Sequence, residues 1–171
     1  MVKLYILTYV YKNKIKIYSL TVILMFITIL AGCSPYKTVS IDETKEFTKT
    51  IMGSNEKIAN LEFRFKRPTL YADINYKGDL EKGDFQYLIN EFQTIIGIDF
   101  MQKIGDEYWN GSRPSGFKLR IHIGEDKKDG YDYIIYSKYN KTKVSNEEPD
   151  NIDGYETWYI FDRDDNEIKI D

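Results

Sequence analysis

One cysteine, one histidine and 27 carboxylates are the side chains from which this 171-residue chain could build a reactive centre. Cys33 follows Leu30-Ala31-Gly32 at the end of an apolar run, where a lone thiol can serve as a nucleophile. His122 falls in the alternating segment Phe117-Lys118-Leu119-Arg120-Ile121-His122-Ile123, opposite the apolar set. That spacing fits a surface histidine on a sheet better than a base or a ligand, and a zinc site of ordinary ligand number needs further His or Cys. Two acidic groups stand in turn-like sequence: Asp162, Asp164, Asp165 and Glu167, and Asp150, Asp153 and Glu156 around Gly154. Oxygen ligands on a loop suit Ca²⁺. Neither group has the full spacing of a calcium-binding helix–loop–helix, and solvated turns account for them equally well. Paired carboxylates for hydrolysis are available in number, but no spacing singles out a pair. Gly111, Pro114 and Gly116 mark a loop that lacks the Gly-Lys-Ser/Thr ending of a phosphate loop. Tyr108, Trp109 and Arg113 beside it could rim a ligand or pack a helix end, and packing is the preferred reading.

The segment before Cys33 has the three parts of an export signal. Lys3, Lys12, Lys14 and Lys16 come first, the apolar run Ile17 to Leu30 follows, and Ala31 and Gly32 precede the cysteine. Acidic residues begin only at Asp42. Cations stay on the cytoplasmic side while the apolar stretch enters the bilayer. The run is short for a membrane span, which needs about 20 apolar residues. A retained membrane helix with an incidental cysteine is the competing explanation. Leu30-Ala31-Gly32-Cys33 resembles the lipobox of bacterial lipoproteins. The resemblance implies a diacylglycerol on the Cys33 sulfur and cleavage just before it, which would consume the thiol and leave it no catalytic role. It also implies an extracytoplasmic domain held at the cell membrane or the outer membrane.

On this reading residues 1–32 are a signal peptide, residues 33–40 the lipidated cysteine and a short tether, and residues 41–171 one extracytoplasmic domain. Removing residues 1–32 leaves 139 residues with 20 basic and 27 acidic side chains. A net charge of −7 argues against nonspecific nucleic-acid binding, which rests on neutralising phosphates, and against a polybasic membrane-binding surface. Without a second cysteine the domain must stand on its core. Of the chain's 15 tyrosines and 9 phenylalanines, 11 and 8 lie beyond Gly32, and they bring the apolar area to do so. The tyrosines could also line a binding face, although strand packing is the commoner role.

These residues need elements to position them. A short strand is expected near Lys37–Ile41 and a helix over Asp42–Ser54, capped by Ser40 or Asp42 and stopped at Gly53. Leu61–Lys66 and Leu70–Tyr76 alternate strictly around Arg67-Pro68-Thr69, predicting a hairpin with one solvated face. From Asp84, read as an N-cap, apolar residues recur at three and four through Ile96, predicting a helix that ends at Gly97 or runs on to Gly105. Strands follow at Phe117–Ile123, Tyr131–Tyr139 and Tyr155–Phe161, with a turn at Asp126–Gly130 and a polar, mobile loop over Lys141–Gly154. The C-terminal residues Glu167–Asp171 pair back or fray. The expected fold class is α+β, two helices on one face of a mostly antiparallel sheet. If the first short strand forms, the order resembles a ferredoxin-like domain with strands added at the C-terminus.

A non-enzymatic binding role toward an envelope protein or peptide follows as the functional expectation, without cofactor, metal or nucleic acid. The acidic composition would suit a cationic peptide. An assembly role in an envelope complex and a carboxylate-dependent hydrolase are the alternatives. The first calls for an exposed apolar patch, the second for two carboxylates converging in a cleft.

Overall fold

The alternating segments form strands and the segments of period three to four form helices, over the residues described by the computed structural model: 35–124, 130–142, 144 and 147–169. The leader, Cys33, the tether residue Ser34, the turn residues 125–129 and the last two residues lie outside the described residues. In chain order the elements are β1 (Lys37–Thr38), α1 (Asp42–Ser54), β2 (Ile58–Lys66), β3 (Thr69–Tyr76), α2 (Lys82–Gln93), α3 (Ile98–Tyr108), β4 (Gly116–Ile123), β5 (Tyr133–Lys138) and β6 (Trp158–Asp162). A single 3₁₀ turn, Pro149–Asn151, precedes β6. None of the described helices is long and apolar enough to cross a membrane.

The class is α+β, with three helices on a mixed six-stranded sheet among the described residues. The strands lie in chain order, and every neighbouring pair is antiparallel except β3 and β4, which run parallel. A parallel pair needs a crossover, and α2 and α3 supply it. This arrangement differs from the ferredoxin-like expectation, since the two parallel strands of a split βαβ unit have another strand between them. The additional helix arises in the stretch where the helix from Asp84 was expected either to end at Gly97 or to run on to Gly105. Thr94, Ile95 and Ile96 form a β-branched run before Gly97, and such residues lose rotamer freedom against the preceding turn. The Thr94 hydroxyl donates to the Glu91 carbonyl at 2.6 Å, and Gly97, with extended backbone, becomes the N-cap of α3.

Two cap assignments shift by a few residues. The N-cap of α1 is Ile41, whose carbonyl accepts from the Thr44 hydroxyl at 2.8 Å. Helix α2 starts two residues before its expected cap. Glu81 is the N-cap, and Asp84, at the third helical position, accepts the Glu81 N–H at 3.0 Å. An acceptor three residues in satisfies an orphan N–H as well as a cap does.

Cross-strand register sorts the side chains into rows. On one face run Phe63, Ala72, Leu119, Ile135 and Ile160 in one row, and Phe65, Leu70, Phe117, Ser137 and Trp158 in the next. These rows are almost wholly buried beneath the helices. Phe92 of α2 sits at the centre, with ring centroids 5.0 Å from Phe47 of α1 and 5.5 Å from Phe117. Phe85 meets Tyr133 at 5.1 Å, and Tyr108 of α3 meets Phe65 at 6.4 Å. All three helices therefore cover the same side of the sheet. Inside α3, Gly105 lies against the backbone of Ser112, since a Cβ there would fall 2.4 Å from the Ser112 carbonyl oxygen.

Candidate functional site

Among the described residues the other face of the sheet carries no helix, and the alternation that buries the first set aims the remaining side chains into one continuous surface. One row reads Thr38, Arg64, Tyr71, Lys118, Tyr136 and Tyr159 across all six strands. Beside it run Glu62, Asp73, Arg120, Ile134 and Phe161, and on its other side Lys66, Thr69, Gly116 and Lys138. At about 4.8 Å between strands, the first row spans roughly 24 Å.

Cations and rings interleave along this surface. Tyr36, just before β1, meets Tyr71 edge to face at 5.3 Å between centroids. The Arg64 and Arg120 guanidiniums lie 5.3 Å from the Tyr36 ring and the Lys66 ammonium 5.1 Å. Arg120 also lies 4.7 Å from Tyr71. Lys118 sits 5.5 Å over Tyr136, and Lys138 sits 5.9 Å over Tyr159. The ring faces attract the cations, and the cations in turn hold the rings' orientation. Gly116 contributes by having no side chain: a Cβ there would stand 3.1 Å from the Tyr136 ring.

Asp73 fixes the centre. It is buried at 5% exposure, and its carboxylate accepts from Arg120 Nε at 2.5 Å, from Arg120 Nη2 at 3.0 Å, and from both Nε and Nη2 of Arg64. Two guanidiniums that would repel each other are thereby held side by side. Burial works against the charge on Arg120, but Asp73 outweighs it and the guanidinium holds its proton more firmly than a free one. Burial, and secondly its neighbour Tyr36, push the Tyr71 hydroxyl above the usual tyrosine pKa; burial and then Tyr159 do the same for Tyr136. Both phenols are therefore neutral donors and acceptors at physiological pH.

The residues singled out from sequence are dispersed. His122 lies on the open face at the end of β4, in register with Asn75. The Asp162 carboxylate is taken up by its own turn, accepting the N–H groups of Asp164 and Asn166 and the Asn166 amide. Asp153, buried, accepts from the Thr157 N–H and hydroxyl. Among the described residues no three His, Cys, Asp or Glu side chains are grouped to hold a metal. Tyr108 and Trp109 pack on Phe65, while Arg113 turns away to stack on Tyr139 at 3.8 Å. Within the polar loop before β6, the buried Asn151 accepts from the Thr142 N–H and hydroxyl and donates to the Val144 carbonyl, which fastens that stretch. Glu62 and Asp73 face each other across β2 and β3, and Arg64 pairs with both, so this pair offers a hydrolase no free base. The exposed large apolar side chains among the described residues are Tyr36, Ile98 and Val144, on three different segments.

Sequence reasoning assigned faces in the segments Leu61–Lys66, Leu70–Tyr76 and Phe117–Ile123, but not in the last two strands, and not the surface they form together. The signal was the pair of outward sets Arg64/Lys66 and Lys118/Arg120/His122, with the Tyr-rich segment that became β5. The chain matches no protein-family model, no curated protein and no solved structure.

Proposed function

We propose that the chain is an exported lipoprotein, anchored through a lipid on Cys33, whose extracytoplasmic domain binds an envelope component without catalysing a reaction, and that the open sheet face is its recognition surface. The single observation behind this reading is the row Arg64–Tyr71–Lys118–Tyr136–Tyr159, which no described helix covers, on one side of a sheet whose other side is packed beneath the helices. A flat array of rings and cations suits an anionic surface or polymer, because rings supply area at low entropy cost and cations supply attraction. Asp73, the buried carboxylate of this face, serves to position two arginines, so the chemistry of the face is that of binding.

A second reading concerns the helix side. The three helices carry eight acidic residues against four basic ones, which suits a cationic protein or peptide of the envelope.

The test is crosslinking in the native membrane followed by capture of the lipidated protein, beside Cys33→Ala and Lys118→Glu variants. A component lost in both variants supports the sheet-face reading. One lost with Cys33→Ala but retained with Lys118→Glu moves recognition to the helix side. Equal capture with and without the anchor would refute the lipoprotein reading.

A further inference from the structure

We infer that the Tyr–Arg/Lys face lies directly on the anionic lipid headgroups of the bilayer that carries the anchor, so that the lipid and the sheet face together hold the domain in one orientation. The inference rests on the lipoprotein reading of Cys33.

Tether length is the first argument. Tyr36 follows Cys33 by three residues, and a fully extended chain spans at most about 3.3–3.6 Å per residue, so the two α-carbons are no more than about 11 Å apart. The tether expected from sequence ran to Ser40, but Lys37 and Thr38 are already paired in β1 and Val39 is buried at 5%. The chain thus meets the folded domain at Tyr36, which is itself part of the open face through Tyr71, Arg64 and Arg120. The segment that leads to the anchor therefore joins the domain at a corner of this surface. Electrostatic attraction is felt over about 8 Å at physiological ionic strength, a distance similar to the tether.

Charge distribution is the second argument. The net charge of −7 spoke against a polybasic surface, but the charge is not evenly spread. Arg64, Lys66, Lys118, Arg120 and Lys138 share the open face with Glu62, Asp73 and, opposite Phe161, Glu167, whereas the helices on the opposite side carry the acidic excess. An anionic surface attracts the one side and repels the other, which selects an orientation as well as a distance. The rings supply the third argument. Tyr36, Tyr71, Tyr136 and Tyr159 present apolar bodies with polar tips, the side-chain type that settles at headgroup level.

The test uses the full lipidated protein in vesicles of phosphatidylcholine alone or with phosphatidylglycerol added. Each lysine is scored by mass spectrometry for its rate of amine-reactive labelling. Lys66, Lys118 and Lys138 should be labelled several-fold more slowly on the anionic vesicles. Lys82 and Lys103, on the helix side, should not change. High salt, at which screening shortens to about 3 Å, should remove the difference, and Lys118→Glu should weaken it at Lys66 and Lys138. Flotation with both vesicle types but no selective protection would overturn the orientation and leave the lipoprotein reading intact. Failure to float with phosphatidylcholine would overturn both. Protection of the three lysines by soluble polyphosphate, without protection on anionic vesicles, would overturn membrane docking in favour of a soluble polyanion.

Discussion

Arg120 grips Asp73 with two near-parallel hydrogen bonds, Nε to Oδ1 at 2.5 Å and Nη2 to Oδ2 at 3.0 Å. Because Arg64 binds the same carboxylate, removing it leaves two half-buried guanidiniums facing each other. Asp73→Ala should cost about 2–4 kcal/mol in urea unfolding, slightly below the usual cost of breaking a buried pair because both arginines keep some water contact. Replacing all three (Arg64→Met, Asp73→Leu, Arg120→Met) should recover most of that stability. A loss under about 1 kcal/mol for Asp73→Ala would mean that solvent already screens the cluster.

Asp84 ties the start of α2 to Lys57, with both carboxylate oxygens 3.1 Å from the ammonium. Burial works to raise this carboxyl, but the Glu81 N–H and Lys57 outweigh it and hold it below the usual range. A lowered carboxyl stabilises the fold above its unfolded value, near 3.9, and that contribution is lost as pH falls through the lower folded value. Asp84→Asn should therefore destabilise by about 0.5–1.5 kcal/mol at neutral pH. The variant and parent curves should converge as the pH falls below the unfolded value and through the lower folded one. A constant gap across that window would assign the effect to packing.

Gly105→Ala offers a direct check on how α3 is seated. In an exposed helix the change gains up to about 1 kcal/mol. Here the new methyl meets the Ser112 carbonyl oxygen and carbon at 2.4 and 2.7 Å, and backbone cannot step aside as a side-chain tip can. A net loss of about 1–3 kcal/mol is expected from thermal unfolding. A gain would mean that the loop over Ser112 and Arg113 yields readily.

Ser137 lies at 0% exposure in the aromatic row between Phe117 and Trp158, and its hydroxyl, like the Trp158 indole N–H, has no hydrogen-bond partner among the described residues. A buried hydroxyl without a partner costs about 1–3 kcal/mol, so Ser137→Ala should be neutral or raise the melting temperature. A clear drop would reveal that the hydroxyl is satisfied in solution.

The strands were legible to within a few residues because alternation is a local signal. Leu61, Phe63 and Phe65, and Leu70, Ala72, Ile74 and Tyr76, are all buried as their spacing required. Helix α1 was legible over its whole length, Asp42–Ser54. The break between α2 and α3 was harder to read, since Phe100, Met101 and Ile104 continue usable helical spacing while the β-branched run before Gly97 interrupts the backbone. Strand order was not legible, because β3 and β4 have 39 residues between them and nothing in either strand marks the other as its neighbour. The candidate surface depends on that order. Arg64 and Arg120 meet at Asp73 only once β2, β3 and β4 lie side by side, so the cationic face stayed hidden under the acidic total.

The parallel pairing of β3 with β4 also has a consequence for the order of folding. On either side of it, β1 to β3 and β4 to β6 can each zip up from antiparallel neighbours, whereas the seam Thr69↔Gly116 to Tyr76↔Ile123 must wait for the long crossover to close. Closing it completes the Asp73 cluster and buries the central apolar rows in one event, so the two halves become cooperative only there. Leu119→Ala, on the seam, should slow refolding in proportion to the stability it removes, while Ile160→Ala, at the far edge, should act mainly by speeding unfolding. Stopped-flow chevrons of the two variants would read this directly. For a chain that emerges from its N-terminus, the first half-sheet would then have to keep Leu70, Ala72 and Ile74 covered until the strand at Gly116–Ile123 arrives.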